Sequence, residues 1–177
     1  MALLRRRELL GAAAGALALP DLSAANVLGP TSSDRQVLAR LIEIERQIEL
    51  GYQRVLSAGV LSKVAQAVAA EFPAHEHEHV RVLSSELGRR GGTPPAPPAR
   101  QPASPSNSPD AVRYLISLET LAEAAYYGSM PRLSDPALMR LAAELMCCEA
   151  QHWSALSELL HSGDVYSAVP TATITGG

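Results

Sequence analysis

The sequence predicts an all-α protein, a four-helix bundle in which two helical hairpins are joined by a long Pro-rich crossover. Three observations predict it. Ala and Leu abound and only 4% of residues are aromatic in a chain that is 47% hydrophobic, a balance that favours helix over sheet. Four stretches carry apolar residues at helical spacing. Residues 91–109, between the second and third stretch, hold seven of the thirteen prolines. At 177 residues there is room for one domain with a sizeable core.

The first 25 residues read as a signal peptide rather than as part of the bundle. The basic run Arg5, Arg6, Arg7 precedes an apolar stretch from Leu9 to Leu19, and small residues Ser23, Ala24 and Ala25 follow. That stretch is too short to span a bilayer as a helix, so no membrane span is expected in the mature form. The paired arginines followed by Glu8, Leu9 and Leu10 resemble the twin-arginine export motif. Gly11 stands where that motif favours lysine, and Asp21 lies near the expected cleavage point. The resemblance implies an exported protein: periplasmic, in the cell envelope, or secreted.

The bundle is expected over residues 33–162. Its first helix runs from about Ser33 to Leu56, with Ser32, Ser33 and Asp34 as capping candidates, and Ser57–Gly59 break the chain. The second runs from about Leu61 to Leu87 and stops at Gly88; Pro73 within it is expected to kink it, since its ring removes a backbone hydrogen bond. The third runs from Pro109–Asp110 to Met130, where Pro131 ends it. The fourth opens at Ser134-Asp135-Pro136, a cap with proline in the first turn, and reaches about His161. Residues 163–177 show no helix signal and read as a flexible tail. An extended proline-rich linker covers about 3.1 Å per residue, so residues 91–109 reach roughly 59 Å. A helix of about 25 residues is close to 38 Å long, so the linker can cross a whole bundle.

Net charge of −3 gives nucleic acid no electrostatic footprint. Cys147 and Cys148 are adjacent, closer than disulfide geometry allows, and no CxxC is present. That argues against an internal disulfide framework, excludes a thiolate-cage zinc or iron site of the CxxC type, and leaves two small core-facing or boundary thiols.

The chemistry is carried by an internal repeat. Set over one another, LIEIERQIELGY (41–52) and LISLETLAEAAY (115–126) match Glu45 with Glu119, Glu49 with Glu123 and Tyr52 with Tyr126. EHEHVRVL (76–83) and EAQHWSAL (149–156) match Glu76 with Glu149, His79 with His152 and Leu83 with Leu156. Each half thus offers one Glu on its first helix and a Glu-x-x-His on its second. Residues three apart share a helix face, so each Glu-x-x-His pair can present an oxygen and a nitrogen together. Glu45 and Glu119 can bridge or complete the shell from facing helices. Four carboxylates balance two divalent ions, and oxygen with imidazole donors suits iron or manganese.

One Glu from each of two helices, with Glu-x-x-His from the other two, resembles the ligand set of the ferritin-like di-iron and di-manganese carboxylate proteins. The repeat is similar to that of rubrerythrins, bacterioferritins and manganese catalases. A tyrosine seven residues after each single Glu, at Tyr52 and Tyr126, is similar to the rubrerythrin pattern. The resemblance spans residues 35–162 and implies a dinuclear centre, two Fe ions or alternatively Mn, held by Glu45, Glu76, His79, Glu119, Glu149 and His152. It further implies oxidoreductase chemistry with oxygen or peroxide, of ferroxidase, peroxidase or catalase type. The competing expectation is a non-catalytic metal-binding or structural bundle of the cell envelope. Metal ions are the expected partners, and a homodimer is the candidate assembly. Tyr52 and Tyr126 are read either as hydrogen-bonding the ligands or as packed core. Glu43, Glu49, Glu78, Glu86, Glu123, Glu144 and Glu158 read as solvated charges, with outer roles at the site open to Glu49 and Glu123. His75 is open to a role as extra ligand or proton relay, and His77 is expected to be exposed.

Overall fold

A computed structural model describes residues 33–98 and 105–160. The segments expected to be a signal at 1–25 and a tail at 163–177, together with residues 26–32, 99–104, 161 and 162, lie outside the described residues. The helices are α1 (Asp34–Ala58), α2 (Lys63–Ala69), α3 (Pro73–Arg89), α4 (Ser108–Ser129) and α5 (Pro136–Leu160), with a 3-10 turn at Met130–Arg132. α1, α3, α4 and α5 form the bundle. No helix among the described residues is long and apolar enough to cross a membrane.

The helix ends follow local chemistry. Gln36 reaches back to accept the Ser33 N–H at 2.9 Å, half of a capping box. Gly59 closes α1 at φ +65°, a left-handed conformation that glycine adopts at no steric cost. Asn107 Oδ1 accepts the Asp110 N–H at 3.0 Å at the start of α4, and Asp135 Oδ1 accepts the Ala137 N–H at 2.9 Å at the start of α5.

Pro73 corrects the expectation of one long kinked second helix. The helix ends at Ala69, and Pro73 begins a new one as its first residue. A proline there forfeits nothing, because the N–H it lacks would have had no intrahelical partner. The short α2 is capped by the Ser62 hydroxyl, which accepts from Ala65 N at 3.2 Å.

The topology is fixed by contacts at the two ends of the bundle. Ser62, just past α1, donates its N–H to Ser108 at the start of α4 at 3.0 Å. Ser134, just before α5, donates to Asp34 at the start of α1, through its N–H at 2.7 Å and its hydroxyl at 2.9 Å. Arg90, past the end of α3, pairs with Asp135 at the start of α5. α1 and α5 therefore run one way, α3 and α4 the other. The chain leaving α3 must travel the length of the bundle to enter α4, which is the crossover that the proline-rich linker was expected to make.

Along α1 the buried residues Leu38, Leu41, Ile42, Glu45, Ile48, Tyr52 and Val55 recur at helical spacing. A glutamate therefore stands in the middle of an apolar stripe. α4 repeats the arrangement with Leu115, Leu118, Glu119, Ala122 and Tyr126. Gly51 lets α1 and α4 approach: a β-carbon there would meet Leu118 Cδ1 at 2.3 Å. Each fully buried Leu or Ile contributes about 1.5–3 kcal/mol, and this core must offset the cost of burying acidic groups at its centre.

Candidate metal centre

Glu45 from α1, Glu76 and His79 from α3, Glu119 from α4, and Glu149 and His152 from α5 converge inside the bundle. None is more than 4% exposed. His79 Nδ1 lies 2.7 Å from Glu149 Oε1, 3.6 Å from Glu45 Oε2 and 3.7 Å from Glu76 Oε2. His152 Nδ1 lies 3.0 Å from Glu76 Oε1, 3.5 Å from Glu149 Oε2 and 3.6 Å from Glu119 Oε2. The structure brings all six sequence-selected residues together.

Two overlapping quartets result, Glu45–Glu76–His79–Glu149 and Glu76–Glu119–Glu149–His152, with the donor atoms of each within 4.8 Å of one another. Of the two roles left open for the single glutamates, the geometry gives each a place in one quartet. It is Glu76 and Glu149 that belong to both. That assignment depends on which helices face each other, and spacing along one helix does not contain it.

The tyrosines are buried and hydrogen-bonded at once. Tyr52 donates a hydrogen bond to Glu119 Oε1, and Tyr126 donates another to Glu45 Oε1. The tyrosine of each half thus holds the single glutamate of the other half. The inner donors have only one another: Glu45 Oε2, both oxygens of Glu76, Glu119 Oε2, both oxygens of Glu149, His79 Nδ1 and His152 Nδ1 are buried with no well-aligned hydrogen bond, and meet as close carboxylate–imidazole pairs. A buried polar atom in that condition costs stability unless something else satisfies it.

Without a cation the cluster is electrostatically strained. Burial pushes the Glu76 carboxyl up to about 8, and burial raises Glu45 and Glu119 as well. Burial also acts to raise Glu149, but the imidazoles of His152 and His79 outweigh it and hold the group at about 2. Burial works against a charged His79, yet Cys148, Glu149 and Glu45 overcome it and lift the group to about 12; His152 is raised in the same way.

The surroundings contain residues whose roles sequence spacing left open or missed. Glu123, expected on the solvated face, is buried at 3% exposure, and burial raises its pKa. It follows Glu119 by one helical turn, so it falls on the same inward side. Glu49 is the more exposed of that repeat pair and accepts from or pairs with His77 at 3.2 Å. His77 is exposed, as expected. Phe72 stacks on the His152 ring with centroids 4.2 Å apart. Cys148 lies 3.5 Å from His152 Nε2, and the imidazoles of His152 and His79 bring its thiol down to about 7. Its position four residues before His152 on one helix is the signal that could have revealed the contact.

Fold and site together define a helical bundle with a buried carboxylate–histidine cluster at its centre. The family model for the ferritin-like domain matches residues 9–162, and the chain belongs to that family. A solved structure similar in fold is a dodecameric thioferritin, the bacterioferritin-related protein from Bacteroides fragilis. It superposes with a TM-score of 0.61 at 17% identity, covering 78% of this chain and 90% of that one. No curated protein matches the chain.

Proposed function

We propose that the interior cluster is a dinuclear metal centre and that the protein is an exported oxidoreductase acting with oxygen or peroxide. The observation that carries the metal reading is the convergence of buried carboxylate and imidazole donors that have no well-aligned hydrogen bond and only one another for polar neighbours. Four carboxylates withdrawn from water need compensating positive charge, and two divalent cations supply it. Glu45 and His79 would hold one ion, Glu119 and His152 the other, and Glu76 and Glu149 both. Oxygen and imidazole donors fit iron, with manganese the alternative. Such ions, when bound, supply redox chemistry toward oxygen or peroxide.

The chain's own residues prepare that chemistry. Tyr52 and Tyr126 fix one oxygen of Glu119 and Glu45 and leave the other pointing inward. Leu41, Ile48, Leu83, Leu115, Ala122 and Leu156, each a turn from a proposed ligand, are buried and keep bulk water out. Export rests on the arginine-led N-terminal segment, and a homodimer is the assembly we propose. Metal binding without turnover is a second reading, favoured by the near-complete burial of all six residues.

Elemental analysis of protein from its native host should find close to two ions of iron or manganese per chain. Glu76→Ala and Glu149→Ala should each abolish or severely reduce that content, because each takes an oxygen donor from both quartets, while exposed Glu78→Ala should not. Full metal content in either shared-glutamate variant would refute the centre. Steady consumption of peroxide, or oxidation of added Fe(II) by oxygen, separates the oxidoreductase from the metal-binding reading. For export, replacing Arg6 and Arg7 by lysine should trap the full-length precursor in the cytoplasm, and normal secretion would rule out the twin-arginine route. Light scattering that finds only monomer would refute the homodimer.

A further inference from the structure

A second set of metal-ligating side chains lies against the outer side of the His152 ring. The Nδ1 atom of His152 faces the interior carboxylates. Its Nε2 atom faces away from them, 3.0 Å from His75 Nδ1 and 3.5 Å from Cys148 Sγ. The donor atoms of His75, Cys148 and His152 all lie within 4.8 Å of one another. A tetrahedral ion with metal–nitrogen bonds of about 2.0–2.1 Å and a metal–sulfur bond of about 2.3 Å spaces its ligands about 3.3 Å apart for N···N and about 3.6 Å for N···S. The spacings to His152 Nε2 are already within a few tenths of an ångström of those values.

Two further observations point the same way. Burial falls off outward across the trio: His152 is buried, Cys148 half-buried and His75 exposed. An ion arriving from solvent would therefore meet His75 first. The repeat that matches Glu76 with Glu149 also matches His75 with Cys148, the residue just before the shared glutamate in each half. Both halves place a metal-ligating side chain at that position.

We propose that His75, Cys148 and His152 form an outer station for one thiophilic divalent cation, such as Zn2+ or Fe2+, and that it competes with the interior centre for His152. The competition rests on the dinuclear reading above; the outer station does not. A neutral imidazole has a single lone pair. With that pair on Nδ1, His152 serves the interior and turns an Nε2 hydrogen toward His75. With it on Nε2, His152 serves the outer ion and turns an Nδ1 hydrogen toward Glu76 Oε1, 3.0 Å away. Loading the outer station releases the Cys148 proton and withdraws one nitrogen from the interior quartet. The donor sets also select differently: a thiolate with two imidazoles favours zinc, iron(II) or cobalt(II) over manganese or magnesium, whereas the interior is dominated by carboxylate oxygen.

The test is an anaerobic titration of the reduced, metal-free full-length chain with Co2+. A near-ultraviolet sulfur-to-cobalt charge-transfer band reports the outer station, and equilibrium dialysis reports total cobalt per chain. The wild type should develop the band, Cys147→Ser should keep it, and Cys148→Ser should lose it. His75→Ala removes a direct ligand, so it should weaken the band's midpoint by more than the roughly tenfold that even an outer hydrogen-bond partner of a ligand is worth. Glu45→Gln, which does not touch the trio but weakens the interior's hold on His152, should lower total cobalt while the band forms at a lower cobalt concentration; a band that needs more cobalt than in the wild type overturns the competition. A wild type without the band, a band that survives Cys148→Ser, or a midpoint unmoved by His75→Ala overturns the outer station. Total cobalt unchanged by Glu45→Gln sinks the interior centre instead, whatever the band does. Thermal melts of each variant verify that its helices are folded before it is scored.

Discussion

Stripped of metal, this protein should gain stability as the pH falls from 8 toward 4.5, the reverse of ordinary acid behaviour. Burial holds the Glu76 carboxyl at about 8, against 4.5 for an unburied glutamate. A carboxyl raised in this way binds its proton more tightly folded than unfolded. Its contribution is therefore absent above about 8, grows as the pH drops, and is complete below about 4.5. Glu45 and Glu119, also raised by burial, act in the same sense. His79 is lifted to about 12, so its contribution is already full below 6.5 and fades only as pH climbs toward 12. Glu149 opposes the trend: held at about 2, its contribution is present above 4.5 and is lost as pH falls toward 2. The metal-free protein should thus be most stable near pH 4.5. The interval from 4.5 to about 8, at about 1.4 kcal/mol per pH unit, bounds the Glu76 contribution at about 5 kcal/mol. Even a third of that moves the melting temperature by about 4–6 °C in a domain of this size. Calorimetric melts of chelator-treated protein between pH 8 and 4.5 measure it. The metal-loaded protein should respond oppositely, because protons and metal compete for the same atoms. A metal-free melting temperature that is flat or falls on acidification, or a slope that Glu76→Gln leaves intact, would refute the electrostatic account of the cluster.

Two packing and bonding predictions accompany it. Tyr52→Phe and Tyr126→Phe each leave one oxygen of Glu119 or Glu45 unheld, and should weaken metal binding about 10–100-fold in chelator competition; unchanged affinity would mean the tyrosines only fill space. Gly51→Ala should destabilise by about 1–3 kcal/mol through overpacking against Leu118, outweighing the gain of up to about 1 kcal/mol in helix propensity. A higher melting temperature for that variant would show that α1 and α4 are not held so close.

The helix positions, the crossover and the six clustered residues were legible in the sequence because each is periodic or repeated. A glutamate inside the Leu41–Ile48 stripe has to be buried if the stripe is. What escaped was information about facing surfaces. Pro73 reads alike as a kink or as a helix start, and only the break after Ala69 separates the two. Glu123 resembles any helix-face acid until Glu119, one turn earlier, is known to point inward. The sharing of Glu76 and Glu149 depends on α3 lying opposite α5, which no single helix encodes. Cys148 went unread at the site because cysteines were weighed as pairs, while its partner proved to be a histidine.

The reciprocal tyrosine bonds join residues 67 and 81 positions apart in the chain. Neither hairpin, folded by itself, can orient its own single glutamate, and each quartet draws residues from both hairpins. The cluster is therefore complete only once the two hairpins have docked, which requires the loop-closure entropy across the linker to be overcome. A cation held by either quartet would be in effect a certificate that the two hairpins have met in register. A chain leaving the cytoplasm already loaded would be one whose assembly had been completed before it crossed.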